Sequence, residues 1–235
     1  MPIQTLSLFG RSTALSADGT SLAPKPSQNN SNKPHPQNLI PDIEIMPLAT
    51  SAMDNLAEHQ ALFSKIGVFS LLATLLQPKS RGSVRLASSD PHSRPKVDFG
   101  ILSAPEDYEI ARTAVRLSLE MGQKIKETRF PLGRNLVFPE EAQANDASNG
   151  STEELDKFIR ERARTTYHYA CSCRMAPEND GIPGVVDDKL RVHGVNGLRV
   201  CDASVFPQII SSHLQAPVVM VAERCADWIK KGLQE

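Results

Sequence analysis

The chain has 235 residues, 40% of them hydrophobic, with 26 Lys and Arg against 27 Asp and Glu for a formal charge of -1. That length suits one large domain or two small ones, at about 100–200 residues each, with enough apolar side chains for a core. The even charge balance argues against a nucleic-acid surface, which needs clustered Lys and Arg to displace phosphate counterions. No apolar run reaches the ~20 residues of a membrane helix, and the most apolar stretch, 66–76, is too short. The N-terminus has no charged region leading into an apolar one, so no signal peptide is expected and a cytoplasmic location is favoured. Cys171, Cys173, Cys201 and Cys225 all lie in the last third. They are too few and too late for a disulfide-built secreted scaffold, so reduced thiols are expected.

Residues 1–38 are rich in Ser, Asn, Pro and Gln and are expected to form a mobile polar segment, above all at 28–36. Packed structure is expected from Leu39, where Ile40, Ile43, Ile45 and Leu48 appear. Val68 and Phe69 favour a strand. Val84 and Leu86 alternate with Ser83, Arg85 and Ala87, the pattern of a half-buried strand. After a turn at Pro91–Pro95, residues 97–99 suit a second short strand. Ser103 is the expected N-cap of a helix reaching Ile125, with Pro105 in the first turn and Glu106 and Asp107 at its positive end. The run Ser151-Thr152-Glu153-Glu154 is a capping box, opening a helix to about Arg164 that buries Leu155, Phe158 and Ile159. Residues 198–201 read as a strand ending at Asp202. Residues 216–231 read as a closing helix, apolar on one face through Val219, Val221, Ala222, Cys225, Trp228 and Ile229. The outline is mixed α and β.

Of the six His, His168 and His213 sit where small or apolar residues dominate. An imidazole near neutrality is the usual base for a hydroxyl proton, and a hydrogen-bonded core or loop histidine is the plainer reading of each. A zinc site from His168, Cys171, Cys173, His193 and Cys201 lacks the paired knuckles of structural sites, so no metal is expected. A Cys171 or Cys173 nucleophile beside His168 has no second motif to orient it.

From Arg164 onward the chain resembles the C-terminal part of the glucose–methanol–choline (GMC) family of flavin-dependent oxidoreductases. Tyr167-His168 followed by Cys171-Ser172-Cys173-Arg174-Met175 resembles the family's His-x-x-Gly-Thr-Cys-x-Met. Gly184-Val185-Val186-Asp187, then Leu190-Arg191-Val192-His193-Gly194-Val195, continue the likeness. Gly197-Leu198-Arg199-Val200-Cys201-Asp202-Ala203-Ser204-Val205-Phe206-Pro207 is its most diagnostic stretch, and Ser212-His213-Leu214-Gln215-Ala216-Pro217 completes it. Upstream, 80–91 is similar too. Among subgroups the chain is most similar to fungal aryl-alcohol-oxidase-like members. The resemblance implies a mixed α+β and α/β fold: a substrate-binding domain over 39–196, an antiparallel sheet flanked by helices, then a returning strand and helix of an FAD-binding domain over 197–235.

The same resemblance implies FAD as cofactor, an alcohol as substrate, and oxygen or another oxidant as final acceptor. It makes His168 the catalytic base and His213 a second catalytic group that places the substrate oxygen. Asp202 and Ala203 would approach the FAD pyrophosphate and ribityl chain. The backbone of His213, Leu214, Gln215, Ala216, Pro217 and Val218 would meet the flavin ring, where a helix N-terminus stabilises negative charge. A role in fungal secondary metabolism is implied in the same way. Two departures stand out. Cys171-Ser172 replaces Gly-Thr, and Gly there would permit a tight backbone. No two of the 13 Gly are spaced Gly-x-Gly, so the loop that holds the ADP half of FAD in an N-terminal Rossmann βαβ unit is missing. The chain therefore reads as the C-terminal portion of such an enzyme, with an N-terminal FAD-binding half as its expected partner. The rival reading is a non-catalytic remnant that at most binds a partner.

Overall fold

A computed structural model of the chain describes residues 6–16, 21–23, 39–51, 55–128 and 151–232. The mobile segment expected at 28–36 lies outside them. Two compact units arise, one from Met1–Ser80 and Leu102–Arg164, the other from Arg81–Ile101 and Thr165–Glu235. This division differs from the boundaries at 38 and 196 drawn from the sequence.

In the first unit β1 (Leu8–Gly10), β2 (Ile43–Leu48) and β3 (Ser70–Leu75) form an antiparallel sheet in the order β1-β2-β3. Packed structure thus begins before Leu39: Leu8 pairs with Ile45 and Gly10 with Ile43. The Asp42 carboxylate accepts from the Ser12 N–H at 2.6 Å and the Ser12 hydroxyl at 2.5 Å. These long-range partners outweigh the polar composition of the segment. Ile43 and Ile45, two apart and so on one face, are fully buried against Ala114 and its neighbours Ile110, Leu117 and Met121. Those four recur at helical spacing on α2 (Pro105–Glu127). The short helix α1 (Leu56–Phe63) lies between β2 and β3 in the chain.

Ser103 does not cap α2. The N-cap is Ala104, without a side-chain cap, and Ser80 Oγ accepts the Ala104 N–H at 3.0 Å instead. The capping box of α3 (Thr152–Arg162) forms: Glu154 N–H donates to Ser151 Oγ at 3.3 Å, and Ser151 N–H donates to Glu154 Oε2 at 3.2 Å. Leu155 and Ile159 are buried. The half-buried pair Arg112–Asp156 joins α2 to α3 through two parallel hydrogen bonds of 2.6 and 3.2 Å. The expected antiparallel sheet with helices packed on it is therefore present.

In the second unit β4 (Ser83–Arg85) and β5 (Lys96–Asp98) make a two-stranded antiparallel ribbon with Val84 opposite Val97. The half-buried strand expected here is not half-buried. Val84 is 52% and Leu86 85% exposed, because two short strands alone make too little sheet to cover their own apolar side chains. Gly100, at φ +57°, closes the ribbon so tightly that a Cβ would fall 2.0 Å from Arg81 O. The strand expected at 198–201 is also absent. Only Arg199 forms a β-bridge, with Arg191, because left-handed Gly194 and Gly197 fold this stretch into a tight hairpin and Asp202 starts a 3-10 turn at Ala203–Val205. The chain then enters α4 (Gln215–Gly232). Leu214, Val218, Val221, Cys225 and Trp228 form its inward stripe, packed with Val186, Leu190, Val205 and Phe206.

Candidate active site

Backbone hydrogen bonds build the second unit's frame. Cys171 N–H donates to Ala203 O (3.2 Å), Cys173 N–H to Ser204 O (2.8 Å) and Met175 N–H to Val205 O (2.9 Å), laying 171–175 along the 3-10 turn. Val185 N–H donates to Arg174 O at 2.8 Å, and Gly184 passes Ala176 so closely that a Cβ would lie 2.0 Å from its carbonyl oxygen. This frame fixes the C-terminal end of the segment that carries His168.

Two non-glycine residues flank that histidine in the left-handed region, Tyr167 at φ +62° and Cys171 at φ +70°. Each costs about 1–3 kcal/mol, a strain that persists only where surrounding structure enforces it. Cys171 stands where the family pattern has Gly, so the backbone keeps the shape that Gly would favour. Hence Cys171→Gly should be more stable than Cys171→Ala by about 1 kcal/mol, the reverse of the usual order, because both lose the sulfur and only Gly relieves φ. Paired thermal unfolding of the two variants checks this, and Ala at or above Gly would contradict it.

His168 and His213, 45 residues apart, come together. His213 Nδ1 lies 3.3 Å from His168 Nε2, and the rings meet edge to face at 78° with centroids 4.9 Å apart. His168 is half-buried and His213 exposed. On its other side His168 Nδ1 lies 3.2 Å from Thr166 Oγ1. Thr166 is not singled out by the sequence reading; its place two residues before His168 was the available signal. Two imidazoles at this distance share one proton between facing nitrogens, and a hydroxyl oxygen entering there can accept from one while donating to the other.

The other named residues separate. Asp202 Oδ1 accepts the Ser204 N–H at 2.7 Å and caps the turn Ala203–Val205. His213 and buried Leu214 directly precede the first turn of α4, where Gln215 and Ala216 are exposed and Pro217 and Val218 half-buried. His193 Nε2 is 2.9 Å from Ala176 O, and Cys201 Sγ donates to Val221 O at 3.7 Å. Burial pushes the Cys171 thiol up despite Arg81 and Arg174. Burial and the Cys225 thiol push Cys201 up to about 11. Raised thiols are poor nucleophiles at neutral pH. Among the described residues no group of three or more His, Cys, Asp or Glu is placed to hold a metal ion. None of the described helices is long and apolar enough to cross a membrane.

A family model for GMC oxidoreductase matches residues 78–222. The oxygen-dependent choline dehydrogenases of Chromohalobacter salexigens and Burkholderia pseudomallei are each 40% identical, over 155 and 156 residues, covering 66% of this chain and 26% of theirs. Among solved structures, a pyridoxine 4-oxidase from Mesorbium loti is 26% identical (TM-score 0.60, 80% of this chain, 34% of that one). An Aspergillus oryzae formate oxidase, in a study of FAD modification, is 27% identical (0.61, 82% and 32%). A fungal aryl-alcohol oxidase is 30% identical (0.60, 83% and 28%). The chain thus spans about a quarter of the curated relatives and about a third of the solved chains.

Proposed function

The chain belongs to the GMC oxidoreductase family, and from that premise we propose that it supplies the alcohol-binding half of an FAD-dependent oxidoreductase, with His168 as base and His213 as the group that places the substrate oxygen. One observation carries the reading: the facing nitrogens of His168 and His213 at 3.3 Å. The names of its relatives, choline dehydrogenase, pyridoxine 4-oxidase and aryl-alcohol oxidase, support an alcohol as substrate and oxygen or another oxidant as acceptor. The fungal aryl-alcohol oxidase supports the finer assignment to that subgroup. A place in fungal secondary metabolism is inferred from the resemblance alone. The remainder of the relatives' length supports a nucleotide-binding half that works together with this one.

The described residues fit the cofactor. Ser204 Oγ and Ser211 Oγ are buried without a hydrogen-bond partner, beside Asp202–Ala203 and His213, in the two stretches expected to contact FAD. The first turn of α4 carries no acidic residue, so its amide dipoles face no competing anion from the helix itself. Asp202, Ala203 and residues 213–218 would hold the group, which supplies a hydride acceptor when bound.

A substrate hydroxyl replaces the direct 3.3 Å contact of the two imidazoles and reaches both facing nitrogens. His213 Nδ1–H donates to its oxygen, and its proton passes to His168 Nε2 as the O–H bond breaks. His213→Asn keeps a donor and should stay within about tenfold of wild type, whereas His213→Ala should lose roughly a hundredfold. The test is alcohol-driven bleaching of the flavin absorbance in a protein carrying this chain together with its nucleotide-binding half. A flavin that stays oxidised across an alcohol panel would remove the function, and equal losses in the two variants would remove the placing role of His213.

A further inference from the structure

We propose that Thr166 is a positioning residue that fixes which nitrogen of His168 carries the proton, an inference that rests on the base role given above. The local chain is built for the contact. On an extended path, side chains two residues apart are rooted about 7 Å from each other. Here Tyr167 sits at φ +62°, and its N–H donates to Thr165 Oγ1 at 2.9 Å, closing a turn around the residue. Across that turn Thr166 Oγ1 lies 3.2 Å from His168 Nδ1. Tyr167 is 77% exposed, so side-chain packing does not hold the left-handed backbone in place. The hydrogen-bonded turn does.

A base needs a bare nitrogen facing its substrate. Nδ1 faces Thr166 and Nε2 faces His213, so the working tautomer is the one protonated at Nδ1. The Thr166 hydroxyl can donate or accept, and in this tautomer it takes the acceptor role, which leaves the Nε2 lone pair toward the substrate position and toward His213 Nδ1 in the resting pair. In the opposite tautomer, Nε2–H would point at the entering hydroxyl and no proton could be taken. When Nε2 does take the alcohol proton, the ring becomes imidazolium with its Nδ1–H still on Thr166, so the positive charge keeps an acceptor. Hydrogen-bond partners on the far nitrogen set tautomer and orientation in this way wherever histidine works as base or ligand.

The test reads the ring itself. Nitrogen-15 NMR of the full chain, with histidine labelled, distinguishes protonated from bare ring nitrogens and needs no flavin and no turnover. For wild type, His168 should read as protonated at Nδ1 and bare at Nε2. Thr166→Val keeps the shape without the hydroxyl and should move the ring to a mixture in which the Nδ1–H form falls at least threefold relative to the other. Thr166→Ser should restore the wild-type spectrum, which a merely structural role for the side chain would not require. A wild-type His168 protonated at Nε2 overturns the proposal even if the variants do not fold. So does a Thr166→Val spectrum equal to wild type. Either result leaves the base role of His168 standing, because that role is judged separately by the turnover of His168→Ala.

Discussion

His168→Ala should lower turnover more than a hundredfold in a protein carrying this chain with its nucleotide-binding half and bound flavin. General-base assistance contributes about 10²–10⁴-fold, or roughly 3–5 kcal/mol at 1.36 kcal/mol per factor of ten. The geometry supports a loss in that range. The ring is held on both sides, by Thr166 at 3.2 Å and His213 at 3.3 Å, so its nitrogen is placed without paying for orientation during the reaction. His213 does not refill the position: removing the His168 ring opens a gap where Nε2 stood. Added imidazole should restore part of the activity by refilling the gap. An unchanged flavin spectrum in the variant would show that folding and loading survive. Turnover within about threefold of wild type would take His168 out of the mechanism.

What the sequence displayed depended on how local the cause was. The capping box at Ser151 and Glu154 is settled within four residues, and it formed. The stripe Ile110, Ala114, Leu117 and Met121 is settled by helical spacing, and it packs on the sheet. By contrast, the strand Leu8–Gly10 owes its existence to Ile43 and Ile45, more than thirty residues on, and polar composition hid it. Alternation at Val84 and Leu86 predicts one shared face, but burial of such a face depends on what lies over it, which alternation cannot report. Ser103 has the right chemistry for a cap, but the helix starts one residue later, so Ala104 holds the N-cap position. The pairing of His168 with His213 was legible only through resemblance, since nothing in a spacing of 45 residues requires two rings to meet. The left-handed backbone at Cys171 was legible as a question, posed by a Cys standing where Gly is usual, and the structure answers it by keeping the conformation.

The largest effect on stability should come from Asp107, which the sequence marks only as a favourable charge in the first turn of a helix. It is fully buried. One carboxylate oxygen accepts the Lys79 N–H at 2.7 Å, and the other accepts the Ser80 N–H at 2.9 Å together with the Ser80 hydroxyl. The same Ser80 oxygen accepts the Ala104 N–H at 3.0 Å, at the N-cap of α2. The chain leaves the first unit at Ser80 and re-enters it at Leu102, so this carboxylate ties the exit to the return. Asp107→Ala takes the carboxylate partner from two backbone N–H groups and a hydroxyl in a part-buried site. Each buried unsatisfied group costs about 1–3 kcal/mol, and their sharing of one site makes a net loss of about 3–5 kcal/mol the expected value. Against a total stability of about 5–15 kcal/mol that is a severe loss. At about 2–4 °C per kcal/mol it lowers the melting temperature by about 6–20 °C. Asp107→Asn keeps one acceptor but turns an amide N–H toward a backbone N–H, and should fall between wild type and Ala. Ser80→Ala removes the hydroxyl alone and should cost least. Thermal unfolding of the chain orders the three, and a melting temperature for Asp107→Ala within 2 °C of wild type would mean that water satisfies these donors as well as the carboxylate does.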